Sequence, residues 1–171
     1  MATVTAEQAG SIGLIHLLDV IAFSEGTSTS QITEADGYDV IASGVNGPEI
    51  FSDMSIHPFA NGKPAKLVRR APLLTSTASG RYQHPLESWA AYKKALELPD
   101  FSPLSQDLIA LAQIKERRAD ALMLSGNVSA AICACSAIWA SMPINSFEQG
   151  GRPMATLLMK FAELAAESVN K

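Results

Sequence analysis

The sequence predicts an α+β chain, mostly α-helical, with a small β-hairpin lobe. Three observations predict it. An apolar helical stripe runs from Ser11 to Glu25, a turn-rich stretch with strand-like runs lies between 37 and 70, and helical patterning continues from 86 to 169. A length of 171 residues suits one domain, 1–171, around one core. With 47% hydrophobic and 18% charged residues, a disordered or tail-like protein is excluded. The net charge is −4, and the longest basic runs are Arg69-Arg70 and Lys93-Lys94, so no nucleic-acid partner is expected.

Residues 1–10 read as a loose N-terminal arm. Leu14, Leu17, Leu18, Ile21 and Ala22 then follow the spacing of one apolar helix face, and Gly26 supplies the stop. The Ser- and Thr-rich piece from Thr27 to Asp36 reads as a loop. Tyr38 to Ala42 reads as a strand, Gly44 to Pro48 as a turn, and Glu49 to Phe51 as the return strand. The β lobe is placed at 37–70. The helical lobe, 86–169, begins with Leu86 to Leu98, which carries Trp89 and Tyr92. A helix follows with Ser102 as cap and Pro103 at its first position, and a short one ends at Gly126. Val128 to Met142 reads as one helix buried on all sides, with Trp139 in the core. Pro143 to Pro153 reads as a loop and Met154 to Val169 as a final amphipathic helix.

No targeting segment is apparent. The first eleven residues carry Glu7 and no basic run, and Ile12 to Phe23 contains His16 and Asp19 and is too short to span a bilayer. A soluble protein made in the cytosol is expected. Cys133 and Cys135, two apart on a helix, point to different faces. They read as buried reduced thiols rather than a disulfide or a zinc site. His16, His57 and His84 are scattered, so no metal and no cofactor is expected.

Glu25 is the residue that breaks the local rules. It lies eleven positions after Leu14, which brings it within about 20° of the Leu14 direction and extends the apolar stripe. It also stands in the last turn of a helix, where the dipole disfavours an anion. Both placements raise its proton affinity, as a general acid requires. The plainer alternative is a carboxylate that reaches solvent or pairs with an arginine. A second segment, Ser79-Gly80-Arg81-Tyr82-Gln83, combines a glycine, a cation, an aromatic ring and an amide. A tyrosine ring and a side-chain amide suit an N-acetylated sugar, with its apolar face and amide hydrogen bonds. An ordinary loop leading into the next helix is the alternative.

In this order the two segments resemble the bacteriophage lambda endolysin family of peptidoglycan lytic transglycosylases. The matching stretches include Ser24-Glu25-Gly26-Thr27, Gly37-Tyr38-Asp39-Val40-Ile41, Gly80-Arg81-Tyr82-Gln83, Asp100-Phe101-Ser102-Pro103, Ser105-Gln106-Asp107, Gln113 to Arg117 and Ile138-Trp139-Ala140-Ser141. The resemblance implies a lysozyme-like fold with the β lobe beside an active-site cleft. It implies cleavage of the β-1,4 bond between N-acetylmuramic acid and N-acetylglucosamine without water, leaving 1,6-anhydromuramic ends. It places the catalytic residue at Glu25, and sugar contacts at Tyr38, Gly80, Arg81, Tyr82, Gln83, Phe147 and Gln149. The partner it implies is bacterial peptidoglycan. Synthesis in the host cytoplasm, delivery to the periplasmic wall through a holin-type membrane pore, and a monomeric state complete the expectation. The 52–65 region is longer than the family pattern, and 144–149 follows it only loosely.

Two other functions stand beside it. A hydrolysing muramidase would need an acidic residue nine positions after the glutamate and a threonine six further on. Those positions hold Glu34 and Val40, with Asp36 and Asp39 as nearby acids whose simpler reading is turn capping. A non-catalytic wall-binding domain would keep sugar affinity without Glu25.

Overall fold

The computed structural model of the chain describes residues 1–143 and 151–169. Its elements are α1 Ala6–Ala9, α2 Ile12–Glu25, β1 Val40–Gly44, β2 Gly47–Ile50, β3 Lys66–Arg69, β4 Leu74–Ser76, α3 Leu86–Ala95, α4 Pro103–Glu116, α5 Ala119–Leu124, α6 Val128–Cys135 and α7 Met154–Val169. The chain divides into two compact units. One holds Met1–Glu25 and Ala110–Lys171, and the other holds Gly26–Ile109. The expected helical lobe is therefore shared between units, because α4 starts in the second and ends in the first.

In the first unit α2 is the centre. Every residue from Leu14 to Ala22 is buried, His16 and Asp19 included. The stripe pattern predicted one apolar face, whereas α2 is covered all round. Two of its buried polar residues reach partners outside the helix: His16 Nε2 lies 2.8 Å from the Ser168 hydroxyl, and the Ala2 amide donates to Asp19 Oδ1 at 2.7 Å. α1, α5 and α7 pack on it. The first ten residues are not a loose arm. Thr5 and Gln8 form a reciprocal capping box that starts α1, and Val4 and Ala9 are buried.

The helix expected over Val128 to Met142 ends at Cys135. The Ser136 hydroxyl donates back to the Cys133 carbonyl at 2.6 Å and competes with continuation of the helix. The chain then proceeds in turns, still placing Trp139 and Met142 in the interior. Ser141 follows, turned towards the end of α2.

In the second unit β1 pairs antiparallel with β2, Val40 opposite Ile50 and Ile41 opposite Glu49. β3 pairs with β4, Lys66 opposite Ser76, so the β lobe contains a second hairpin and extends beyond 70. The Val45 amide donates to the Leu67 carbonyl at 3.0 Å and ties the hairpins together. The free edge of β1 takes up the 78–80 segment through Ala42 N–H to Ala78 O at 2.9 Å and Gly80 N–H to Val40 O at 2.8 Å. This unit also holds a hydrophobic core of Trp89, Leu98, Phe101 and Ile109, with Phe51 stacked on Phe101, ring centres 5.9 Å apart.

Candidate active site

Glu25 is the last residue of α2, and Gly26, at φ +77°, turns the chain out of the helix. The Ser141 hydroxyl donates to Glu25 Oε1 at 2.6 Å. Ser141 is held in turn, because its carbonyl accepts from the Ser24 hydroxyl and from the Arg152 amide, each at 2.8 Å. Arg152 Nε donates to the Ser24 carbonyl at 3.1 Å, one of the last helix carbonyls that α2 leaves unpaired. The guanidinium sits 4.7 Å from the Phe23 ring centre. Burial raises the proton affinity of the Glu25 carboxyl, while the Ser141 hydroxyl and amide and the Arg152 charge pull the other way. Burial dominates, so the group is poised to hold a proton.

Gly80 to Gln83 form a tight turn closed by paired Ser79 and His84 backbones: Ser79 N–H to His84 O at 3.1 Å and His84 N–H to Ser79 O at 2.9 Å. Gly80 and Gln83 both take positive φ, +80° and +53°. A Cβ on Gly80 would stand 2.1 Å from Gln106 Oε1, so only glycine allows that approach. The approach lets the Gln106 amide knit the turn. Its Oε1 accepts from the Arg81 N–H at 2.8 Å, and its Nε2 donates to the Tyr38 and Phe101 carbonyls.

Three residues expected as sugar contacts turn their side chains inward. Tyr38, Arg81 and Tyr82 are each at most 3% exposed. Both tyrosine hydroxyls donate to Asp107 Oδ1, at 2.7 and 2.6 Å, and burial raises both phenols well above their ordinary range. Arg81 pairs with the Asp36 carboxylate at 2.9 Å and lies 5.1 Å from the Tyr38 ring centre. Gln83 differs. It is half-buried, and its Nε2 donates to the Gly80 and Val40 carbonyls at 2.9 and 3.2 Å. Its Oε1 has no hydrogen-bond partner among the described residues. Phe147 and Gln149 lie outside the described residues.

Three acids of the second unit, Glu34, Asp36 and Asp39, are placed differently. Asp39 is buried and accepts from the Thr33 hydroxyl at 2.5 Å and the Glu34 amide at 2.8 Å, as turn capping requires. Asp36 is taken by Arg81. Glu34 is exposed and, with Asp39, Ile50, Phe51 and Met54, lines an open pocket of about 450 Å³. The Val40 side chain is buried and apolar. Among the described residues no group of His, Cys, Asp and Glu could hold a metal ion, and no helix is long and apolar enough to cross a membrane. Cys133 and Cys135 are free thiols, and burial pushes Cys135 up to about 12.

The sequence pattern did not single out Ser141, Arg152, Gln106 or Asp107 as working residues. Ser141 and Glu25 are 116 positions apart, so local spacing carries no sign of their contact. A buried carboxylate such as Asp107 is recognisable only once its hydroxyl donors are known.

Comparison with known proteins agrees with this architecture. A sequence model of the family described as Endolysin matches residues 15–167. The endolysin of Escherichia phage P2 is 52% identical over 127 residues, 74% of this chain and 76% of that protein. The endolysin of Escherichia phage lambda is 46% identical over 147 residues, 85% of this chain and 87% of its own length. Among solved structures, bacteriophage lambda lysozyme complexed with a chitohexasaccharide superposes with a TM-score of 0.77 at 42% identity. That match covers 96% of this chain and 97% of the other. The chain therefore belongs to the endolysin family, with the lysozyme-like α+β fold of the lambda type.

Proposed function

We propose that the chain is a lytic transglycosylase that cleaves the β-1,4 bond between N-acetylmuramic acid and N-acetylglucosamine in peptidoglycan, with Glu25 as both acid and base. The observation that carries this reading is the Glu25 carboxyl, whose burial favours the protonated form at the end of α2. Protonated Glu25 donates to the glycosidic oxygen as the C1–O bond breaks. Positive charge develops at C1, and the sugar's own acetamido group stabilises it. The Glu25 carboxylate then removes the C6 hydroxyl proton of the muramic residue. O6 closes on C1, giving the 1,6-anhydro ring and returning Glu25 to its acid form. Hydrolysis would instead use a second carboxylate to activate water or attack C1. Asp36 is paired with Arg81, Asp39 is bound within its turn, and beside Glu34 the position of the water-orienting threonine holds Val40, which favours the single-carboxyl route.

In this reading the amide nitrogen of Gln83 fixes the side chain and its Oε1 accepts from an acetamido N–H or hydroxyl of the glycan. Tyr38, Arg81 and Tyr82 hold the Gly80–Gln83 turn through Asp107 and Asp36. Phe147 and Gln149 complete the proposed sugar contacts. The enzyme acts as a monomer, made in the host cytoplasm and released to the periplasmic wall through a holin-type pore. Light scattering tests the first point, and lysis that depends on a co-expressed pore tests the second.

The deciding experiment is mass spectrometry of a peptidoglycan digest, with and without borohydride. Anhydromuramic ends that take up no hydride support the reading. Reducing muramic ends would make the protein a hydrolysing muramidase. Binding with no new ends would make it a wall-binding module.

A further inference from the structure

The arrangement at the end of α2 does more than bury a carboxyl. Glu25 offers two oxygens, and the structure treats them differently. Oε1 receives the Ser141 hydroxyl at 2.6 Å, the Ser141 amide also donates to the carboxyl, and no side chain among the described residues donates to Oε2. Ser141 cannot drift, because its carbonyl is pinned by the Ser24 hydroxyl and the Arg152 amide, both at 2.8 Å. Arg152 is anchored through Nε on the Ser24 carbonyl and over the Phe23 ring. The shell is therefore built from the same turn of helix that carries the acid, together with two points of the chain more than a hundred positions away.

We propose that Ser141 is the positioning residue of the Glu25 carboxyl: its hydroxyl anchors Oε1 as the accepting oxygen and leaves Oε2 to carry the proton to the glycosidic oxygen and back from the C6 hydroxyl. This rests on the reading of Glu25 as acid and base. The proton cycle balances on Oε2 alone, and the Ser141 proton stays on Oγ throughout. In the acid form Ser141 donates to the carbonyl oxygen of the carboxyl. In the carboxylate form the same bond becomes charge-assisted and strengthens, which helps the first proton transfer. A single group serving as acid and then base gains from a fixed carboxyl plane, since its second partner must be met by the same oxygen.

The test compares Ser141→Ala and Ser141→Thr with the parent on purified peptidoglycan. Loss of the donor should lower kcat roughly 10–100-fold with KM changed less than about twofold. It should also move the alkaline limb of kcat/KM upward by about one pH unit, because the carboxylate loses its charge-assisted bond. Ser141→Thr keeps a hydroxyl and should restore both. A merely structural serine would not move the pH limb. Parental kcat and an unmoved limb in a folded Ser141→Ala protein would overturn the proposal. Should Ser141→Ala fail to fold, Ser141→Cys keeps the size with a weak donor. Its Glu25 carboxyl titration, followed by ¹³C NMR and identified by its loss in Glu25→Gln, should then lie above that of the parent. An equal midpoint overturns the proposal. Lysis retained by Glu25→Gln would instead remove the acid–base reading, while the ¹³C titration still reports on the Ser141–Glu25 coupling.

Discussion

Two polar clusters in this molecule are built on opposite plans. At the end of α2 one carboxyl is held by the hydroxyl and amide of a single residue, Ser141, and kept half-buried, with its proton affinity raised. Around the Gly80–Gln83 turn the Asp107 carboxylate is closed in by two tyrosine hydroxyls on one oxygen. Both are carboxyl groups beside hydroxyl donors, so residue type does not separate them. What separates them is how far each polar shell is completed. A completed shell stabilises a shape, whereas an incomplete one leaves a group able to exchange a proton.

The largest test of that contrast is Glu25→Gln. General acid–base catalysis contributes about 10²–10⁴-fold, and a group used in both steps should show a loss at or beyond the upper figure. Stability should move the other way. A carboxyl whose folded pKa lies above its unfolded value is easiest to accommodate at low pH. Its stabilising contribution is lost as pH rises from the unfolded pKa through the folded one. Glu25→Gln should therefore melt at or above the parent at neutral pH. A folded variant with substantial lysis, scored on purified walls, would break the comparison from the catalytic side.

Asp107→Ala should break it from the structural side. Two buried phenols would lose their acceptor, at a cost of roughly 3–5 kcal/mol by chemical denaturation. Asp107→Asn keeps an acceptor oxygen of similar shape and should cost clearly less. Equal costs would mean that packing, not hydroxyl satisfaction, governs the site.

The sequence made the first plan easier to read than the second. The helix end at Glu25 was legible because helix periodicity and the following Gly26 are local, and the structure ends α2 at that residue. The start of α4 at Pro103 and the bounds of α7 were legible for the same reason. The inward direction of Tyr38, Arg81 and Tyr82 was not, since a ring, a cation and an amide suit a sugar and a buried carboxylate equally well. Asp107, which decides between them, lies 25 positions from Tyr82. The end of α6 at Cys135 was hidden too, because Ser136 within an apolar run gives no sign of which carbonyl its hydroxyl will reach. Ser141 could be noticed only as part of a matching stretch, since its partner is set by tertiary folding.

Acid should weaken the second unit while leaving the carboxyl of α2 in the protonated form that its burial favours. His57 Nε2 donates to the His84 carbonyl at 3.0 Å and its Nδ1 accepts from the Phe59 amide, so the ring is neutral with both nitrogens used. Burial lowers His84 from 6.5 to about 4, and it lowers His57 as well. A histidine with a depressed folded pKa contributes stability that is present above its unfolded pKa and lost as pH falls through the folded one. His84 alone should remove roughly 3 kcal/mol between about pH 6.5 and 4. The measurement is the difference in denaturation free energy between parent and His84→Gln across that window. A constant difference would show that the buried ring does not drive acid sensitivity.

Gln83→Ala is the smallest effect and the finest test, because Gln83 belongs partly to each plan. Its Nε2 is committed to the Gly80 and Val40 carbonyls, like the closed cluster around it, while its Oε1 is left over, like the working oxygen of Glu25. Substitution should cost about 1–3 kcal/mol in kcat/KM on purified peptidoglycan if Oε1 meets the glycan. It should cost about 1 kcal/mol or less in stability, since Gln83 sits at φ +53° and the turn keeps its Gln83 N–H to Gly80 O bond of 3.1 Å. Gln83→Glu separates the two halves of the amide. It keeps an acceptor oxygen but loses the donor and adds a charge facing two carbonyls, so it should lower stability more than Gln83→Ala does. If Gln83→Ala loses stability but not activity, the amide belongs wholly to the closed plan and the glycan is held elsewhere. If it loses activity at unchanged stability, the unused oxygen is the part of this turn that touches substrate.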